Sequence, residues 1–441
     1  MKQLFLTIWA LVFSLTDAHA MTDQIYGLGG MSSGRVSSVT AETETPYAAL
    51  LNPALIAAIP EKRFGFSLNW VGARLNNPRD ILVDSPQYRT RGGQLRTGTA
   101  QVPAVSNTLW SAGFSQPFVI PFLRSNRAGY GFSVSGPIKE FRKWLALSPY
   151  DFTNLRYGTS DVQFKGTLGL GLEVIPKYFF IGGSLAVFLT SAGSSEVYLN
   201  TKNPLGRMSM DVGFNSAMVL GGYGNFGDTG VSLVYRQSVR PVFLNKFEGQ
   251  MQVGTVDFAN QPATVKSTLY FEPMVLEMDV QHQFERFVLS AGISFQQWSQ
   301  YEPSYLRVAT MRMEPDGARE VSTTPPYTQF RDTWNPRASF EWRGSRHLRV
   351  GLGYQFRPTP VVDISTMGNI VDTDVHVVGL ATSWAFGPNE SYKSLLLTLH
   401  GQYHFWAPRK VVKADPDFIG APGYTITGNA WTAGASISTV F

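Results

Sequence analysis

Fourteen stretches of this chain read as strands, several with clear apolar/polar alternation, and the links joining them are long and short in turn. The stretches are 63–75, 105–117, 127–136, 161–174, 178–191, 207–222, 229–240, 268–284, 287–299, 332–343, 347–357, 373–386, 393–406 and 428–441. A period of two puts residues i, i+2 and i+4 on one face of a strand. Residues 347–357 set Leu348, Val350, Leu352, Tyr354 and Phe356 against Arg349, Gly351, Gly353, Gln355 and Arg357. Segments 76–104, 137–160, 192–206, 241–267, 300–331, 358–372 and 407–427 are long, whereas Ile175 to Lys177, Glu285-Arg286 and Gly344 to Arg346 are short. A soluble sandwich has no reason to alternate its links in this way. A barrel crossing a bacterial outer membrane does, with short periplasmic turns, long outer loops and an even number of strands.

Composition agrees with strands that meet lipid. Aromatics reach 13% and charged residues only 16%, against about 25% charge in an ordinary soluble domain. The last strand carries Trp431, Ala433, Ala435, Ile437, Thr439 and Phe441 on one face and Thr432, Gly434, Ser436 and Ser438 on the other. An apolar band flanked by aromatic residues suits the bilayer, and a terminal Phe441 is the expected signal to the barrel-assembly machinery. The expected fold is all-β: a fourteen-stranded antiparallel transmembrane β-barrel over residues 63–441. Such a chain sits in the bacterial outer membrane as a monomer, among lipid and lipopolysaccharide. A net charge of +5 favours contact with anionic lipid or sugar phosphate and brings no nucleic-acid motif with it.

The N-terminus reads as an export signal. Lys2 precedes an apolar run from Leu4 to Leu15 and then Ala18-His19-Ala20, a pattern cleaved after residue 20. The chain has no cysteine, which excludes disulfides and thiolate metal sites. Residues 21–62 do not alternate and are rich in Gly, Ser, Thr and Ala. They either trail as a tail or fold back to obstruct a lumen this wide.

No constellation for catalysis is visible. His400 and His404 share a strand face, but four residues of strand separate them by roughly 13 Å, too far for one metal ion, so they read as lumen lining. No enzyme activity, cofactor or metal is expected. Ile138, Phe141, Leu145 and Leu147 stand among Lys139, Arg142 and Lys143, either a landing site for an amphipathic anion or an outer loop lying on lipopolysaccharide. Arg337, Arg349 and Arg357 fall on polar strand faces. They would anchor a carboxylate head group or, alternatively, pair with Glu341 and N-terminal carboxylates.

Several segments together resemble the FadL family of outer-membrane transporters, which carry long-chain fatty acids and include importers of aromatic hydrocarbons such as toluene. The opening Tyr26-Gly27-Leu28-Gly29-Gly30-Met31-Ser32-Ser33-Gly34-Arg35 and the triplet Asn52-Pro53-Ala54 are similar to its N-terminal hatch. Phe330-Arg331-Asp332-Thr333-Trp334 with Arg337, the run Gly353-Tyr354 to Pro358-Thr359-Pro360, and Arg127-Ala128-Gly129-Tyr130-Gly131-Phe132 are similar to later strands. The resemblance implies a hatch over 21–62 with Asn52, Pro53 and Ala54 closing it near the periplasmic end of the first strand. It further implies passage of a hydrophobic small molecule, with sideways exit at a kink in the third strand. Gly129, Gly131, Gly136 and Pro137 mark that place, since glycine leaves space and proline gives no N–H to a ladder. Otherwise Gly136-Pro137 only turns the chain into its loop. A general porin or a surface adhesin is the alternative function.

Overall fold

The computed structural model describes residues 25–441 except 37–39, 43, 84–95, 103, 120–126, 139–151, 158–163, 199–204, 241, 248–250, 254–255, 259–262, 269–270, 304–306, 315–316, 323–327, 346, 367 and 389–392, with strands inside 189–213, 242–268 and 307–322 described by backbone alone. The export signal at 1–20 and the basic stretch from Lys139 to Leu147 lie outside the described residues.

Fourteen strands close into a barrel in which every neighbouring pair is antiparallel. They are β1 (Arg63–Leu75), β2 (Val105–Val119), β3 (Arg127–Pro137), β4 (Lys165–Ile175), β5 (Phe179–Tyr198), β6 (Leu205–Phe226) and β7 (Thr229–Arg236). The second half comprises β8 (Met274–Gln283), β9 (Phe287–Gln297), β10 (Thr333–Arg343), β11 (Leu348–Arg357), β12 (Val375–Phe386), β13 (Ser394–Val412) and β14 (Gly423–Val440). Each pairs with its sequence neighbours, and β1 closes the ring on β14 from Arg63↔Val440 to Leu75↔Gly428. An even count lets first and last strands meet antiparallel and leaves no open edge, as a backbone in hydrocarbon requires.

Alternation sorts the side chains as the sequence implies. Phe64, Phe66, Trp70, Leu168, Leu170, Leu352, Tyr354, Leu399, Tyr403 and Trp431 are exposed on the outer face. Ser67, Asn69, Ser115, Thr167, Ser232, Asp279, Asn335, Arg337 and Glu341 are buried inside. The outer residues would destabilise a protein in water, and in a bilayer they match their solvent.

Two expectations about the links need correction. β13 and β14 run beyond the barrel at the long-link end, past a register shift between Trp406 and Arg409. Segments 241–267 and 300–331 also contain strands. Val242–Phe247, Ala263–Thr268, Arg307–Glu314 and Gly317–Ser322 form a four-stranded sheet. Links this long must satisfy their own backbone polar groups, and pairing between loops does so.

The described part of the N-terminal segment lies inside the ring. Its helices are single turns: α1 (Gly30–Gly34), α2 (Ala48–Leu51) and α3 (Leu55–Ala58). Turns this short are unstable alone, and packing holds them. α1 touches β11 to β14, while α2 and α3 touch β2 to β5. Ala48, Ala49, Leu50, Leu55, Ile56, Ala57 and Ile59 have almost no exposed surface.

Candidate functional site in the filled lumen

The N-terminal segment meets the wall in two chemically different ways. On one side the wall is paved with glycine. Gly129 and Gly131 of β3, Gly169 and Gly171 of β4, Gly182 of β5 and Gly221 of β6 back directly onto residues 52–57. A methyl group at Gly182 would stand 2.3 Å from the carbonyl carbon of Pro53, and one at Gly221 would stand 2.0 Å from Asn52 Oδ1. Asn52 sits here with no exposure. Its Nδ2 donates to the carbonyls of Thr40 (2.9 Å) and Gly222 (3.3 Å), and its Oδ1 accepts from the Ala54 N–H at 3.1 Å. The triplet Asn52-Pro53-Ala54 therefore lies at the short-turn end but against β4 to β6, not against the first strand. Only eight residues of sequence separate it from β1, yet on β1 the inward Gly65 is taken by Pro46, and Ser67 and Asn69 follow it.

On the other side glycines recur, Gly351 and Gly353 of β11 against Arg35 and Gly379 of β12 against Gly34, and ion pairs are added to them. Arg35 is fully buried. Its Nη1 donates to Glu42 at 2.9 Å and Glu341 at 3.1 Å, its Nη2 to Ser290 at 2.6 Å and its Nε to Ser339 at 3.1 Å. Glu44 pairs with Arg349, and the Glu44 carbonyl accepts from Arg63 at 3.1 Å. Burial pushes the Glu44 carboxyl up, but Arg349, Arg343 and Arg63 outweigh it and hold the group at about 2. Burial pushes Glu42 up as well, and there the opposing Arg35 does not prevail. A second cluster belongs to the wall. Arg337 holds Asp279 through both Nε (2.9 Å) and Nη2 (2.7 Å) and reaches Glu277 at 2.6 Å. Arg236 also pairs with Glu277 and donates to the Leu51 carbonyl at 2.7 Å, while Thr40 bonds Asp279.

The long-link end of the segment is tied by its backbone. Gln402 donates to the carbonyls of Ser33 (2.6 Å) and Tyr26 (3.3 Å), and Arg357 donates to the Ile25 carbonyl at 3.0 Å. His404 faces the Tyr157 hydroxyl at 2.8 Å and Gln402 at 3.0 Å, and His400 faces Asn69. Both histidines line the lumen. A crevice of about 60 Å³ remains between α1 and the wall, bordered by Leu28, Glu44, Tyr47, Thr398 and Ser436.

Of the three arginines named from sequence, Arg337 is saturated by wall carboxylates and Arg349 by Glu44, while Arg357 serves the Ile25 backbone and Gln355. Only Arg349 has the N-terminal carboxylate partner that the pairing alternative names; Arg337 meets Asp279 and Glu277 in place of Glu341, and Arg357 meets a backbone carbonyl and an amide. Sequence reasoning missed Arg35, Glu42, Glu44, Arg236, Glu277 and Asp279. Strand alternation could have found Glu277 and Asp279, since they interleave with Leu276, Met278 and Val280. The N-terminal residues have no periodicity to betray them.

The third strand shows no gap over residues 128–135. From Ala128 to Ser135, β3 is paired with β2 on one side and β4 on the other. Ile56 fills the space over Gly129 and Gly131, so the glycines accommodate the N-terminal segment instead of leaving a gap. Gly136 and Pro137 continue the ladder to β2 opposite Trp110 and Leu109, and the ladder to β4 ends at Ser135.

Comparison with known proteins gives this architecture a family. The family model described as outer membrane protein transport protein (OMPP1/FadL/TodX) matches residues 208–441. No curated protein matches the chain in sequence. A FadL homologue of Pseudomonas aeruginosa is 14% identical with a TM-score of 0.62, covering 96% of this chain and 99% of its own. The P. putida toluene transporter TodX is 13% identical with a TM-score of 0.52, covering 95% and 99%. The Ralstonia pickettii toluene transporter TbuX is 15% identical with a TM-score of 0.50, again covering 95% and 99%. Identities this low speak for a shared fold, and the family match extends over more than half of the sequence. The chain belongs to the FadL/TodX family of outer-membrane transport proteins for hydrophobic compounds.

Proposed function

We propose that this protein passes a hydrophobic small molecule, a long-chain fatty acid or an aromatic hydrocarbon, inward by diffusion through an occluded barrel. Residues 21–62 act as its hatch and residues 63–441 as its barrel, after export directed by residues 1–20 and assembly through Phe441. The observation that carries this reading is the obstructed lumen, in which the described residues between 25 and 59 are seated on both walls, with a crevice of about 60 Å³ beside α1. That space holds about two waters. A general porin needs an open, polar path, and an adhesin has no use for a plug locked by buried ion pairs.

Transport then requires the hatch to shift. A sideways exit at β3 requires Ile56 to withdraw from Gly129 and Gly131 and the β3–β4 ladder to part. Arg35, Arg337 and Arg349 retain the hatch and its seat, so they act on anionic and neutral cargo alike. The protein works as a monomer in the lipopolysaccharide leaflet. The test measures uptake of radiolabelled oleate and radiolabelled toluene by cells with and without the chain, alongside swelling of proteoliposomes in neutral sugars. Cargo uptake without sugar permeation is expected. Rapid sugar permeation through the intact chain would establish the porin instead.

A further inference from the structure

Residues 152–157 belong to the link between β3 and β4 yet dock on the far side of the mouth. Thr153 and Asn154 pair in parallel with Ile370 and Val371, in the link between β11 and β12. Around the ring, β2, β1, β14 and β13 separate β3 from β12, and six strands separate β4 from β11. Residues 152–157 therefore dock across the mouth from the strands that bear them.

The attachment is light in backbone and concentrated in a few side chains. The ladder has two residue pairs, bounded by Thr153 N–H to Asn369 carbonyl (3.1 Å) and Leu155 N–H to Val371 carbonyl (3.2 Å). Arg156 fastens it. That guanidinium is buried, binds Asp372 at 3.1 Å and donates to the carbonyls of Pro358 (3.2 Å) and Thr373 (2.6 Å). Below it, Tyr157 lies over the hatch, with its ring 6.3 Å from Tyr26 and 4.9 Å from Trp406. Phe152 meets Tyr424 at 5.0 Å, and Leu155 is buried in the same apolar cluster. Among the described residues, these side chains hold the volume directly over the hatch at Tyr26. The exchange is nearly balanced, since cargo covers the apolar surface that the departing side chains uncover. Lifting also returns Arg156 and Asp372 together to water, so neither charge is stranded.

Resting on the transport reading, we propose that residues 152–157 form a lid whose Phe152, Leu155 and Tyr157 occupy the cargo's place in the mouth until it lifts from the 358–373 rim. The chain contains no cysteine, so a disulfide can be installed cleanly. Thr153→Cys with Ile370→Cys places two thiols on laddered neighbours, within bridging range. In oxidised cells, uptake of both oleate and toluene should fall by about tenfold or more relative to either single variant and recover with dithiothreitol, as gating by a lid requires. Oxidised cells that import like the single variants would overturn the lid. A second measurement is independent of transport. Arg156→Met, combined with Tyr26→Cys, should speed labelling of that thiol by an extracellular maleimide by about tenfold over Tyr26→Cys alone, because local opening sets its access. An unchanged labelling rate in a barrel of normal heat-modifiability would also overturn the lid. If the unlocked protein imports neither cargo, the transport reading fails, and the labelling rates still decide the lid.

Discussion

The hatch rests on two seats that use opposite physics. Against β3 to β6 it meets glycines, with backbone on backbone and no charge. Against β8 to β11 glycine contact persists at Gly351 and Gly353, but charge is added: the hatch meets Glu341, Arg349 and the hydroxyls of Ser290 and Ser339 through Arg35, Glu42 and Glu44. The glycine seat is specified by shape and tolerates no added atom, because a core at native density has no slack. The ionic seat is specified by charge balance. It costs much to break from one side and little to replace whole. A hatch that must stay shut yet be able to move has reason to combine them: shape fixes its position, and charge makes its hold responsive to partners and pH.

The largest effect should come from the ionic seat. Arg35→Met takes its cation from buried Glu42 and leaves buried Glu341 with Arg343 alone, and should weaken hatch docking by about 3–5 kcal/mol. Single-channel conductance and sensitivity to bulky antibiotics should rise, with the barrel still heat-modifiable. Adding Glu341→Gln to that variant should restore part of the loss. If the double variant is worse than the single one, Arg35 does not act through Glu341.

The glycine seat should yield somewhat less. Gly182→Ala puts a methyl 2.3 Å from the Pro53 carbonyl carbon, where backbone cannot retreat like a flexible side chain, and overpacking costs about 1–3 kcal/mol. The same conductance assay should detect it. Gly222→Ala is the control, since its nearest neighbour would be Leu233 O at 4.0 Å, and it should leave the hatch closed. Equal behaviour of the two variants would refute a glycine seat.

Acid separates the seats. Glu44 is held at about 2, below its ordinary 4.5. A depressed carboxyl contributes docking free energy that is present in full above the ordinary value and disappears as pH falls through the docked one. Hatch opening should therefore increase as pH drops from about 4.5 toward about 2. Glu42 is displaced upward by burial and works in the opposite direction, so the assignment rests on Arg349→Gln, in which the acid-induced increase should shrink. The Gly182→Ala opening should show no additional acid dependence of its own.

The smallest effect concerns cargo charge. Arg349→Gln at neutral pH removes a pair whose members are about a quarter exposed, and pairs of that kind contribute about 1 kcal/mol or less. Uptake of oleate and toluene should change by the same factor. A selective loss of oleate would give Arg349 back its role as a head-group anchor.

The barrel was legible in the chain because period-two alternation is a local property, clear in several strands, and the order of long and short links supports it independently. Residues 347–357 show it: Leu352 and Tyr354 face outward, Gly351, Gly353 and Gln355 inward, as their order alone requires. Strand ends were less legible where loops pair with loops, as for β8, which begins at Met274 because Ala263–Thr268 joins a separate sheet.

What the sequence by itself determined is the wall: the number of strands, the face each side chain takes and the end at which the links are long. Local sterics and the demand that every backbone group be paired in lipid are enough for that. What the tertiary structure decided is everything inside it. Arg35 meets Glu341 across 306 positions of sequence, Gly182 matters because Pro53 happens to lie on it, and Arg349 is spoken for by Glu44. No periodicity links such residues, because a closed ring brings them together from its opposite sides, and only the closed ring shows which arginine is taken and which glycine is covered.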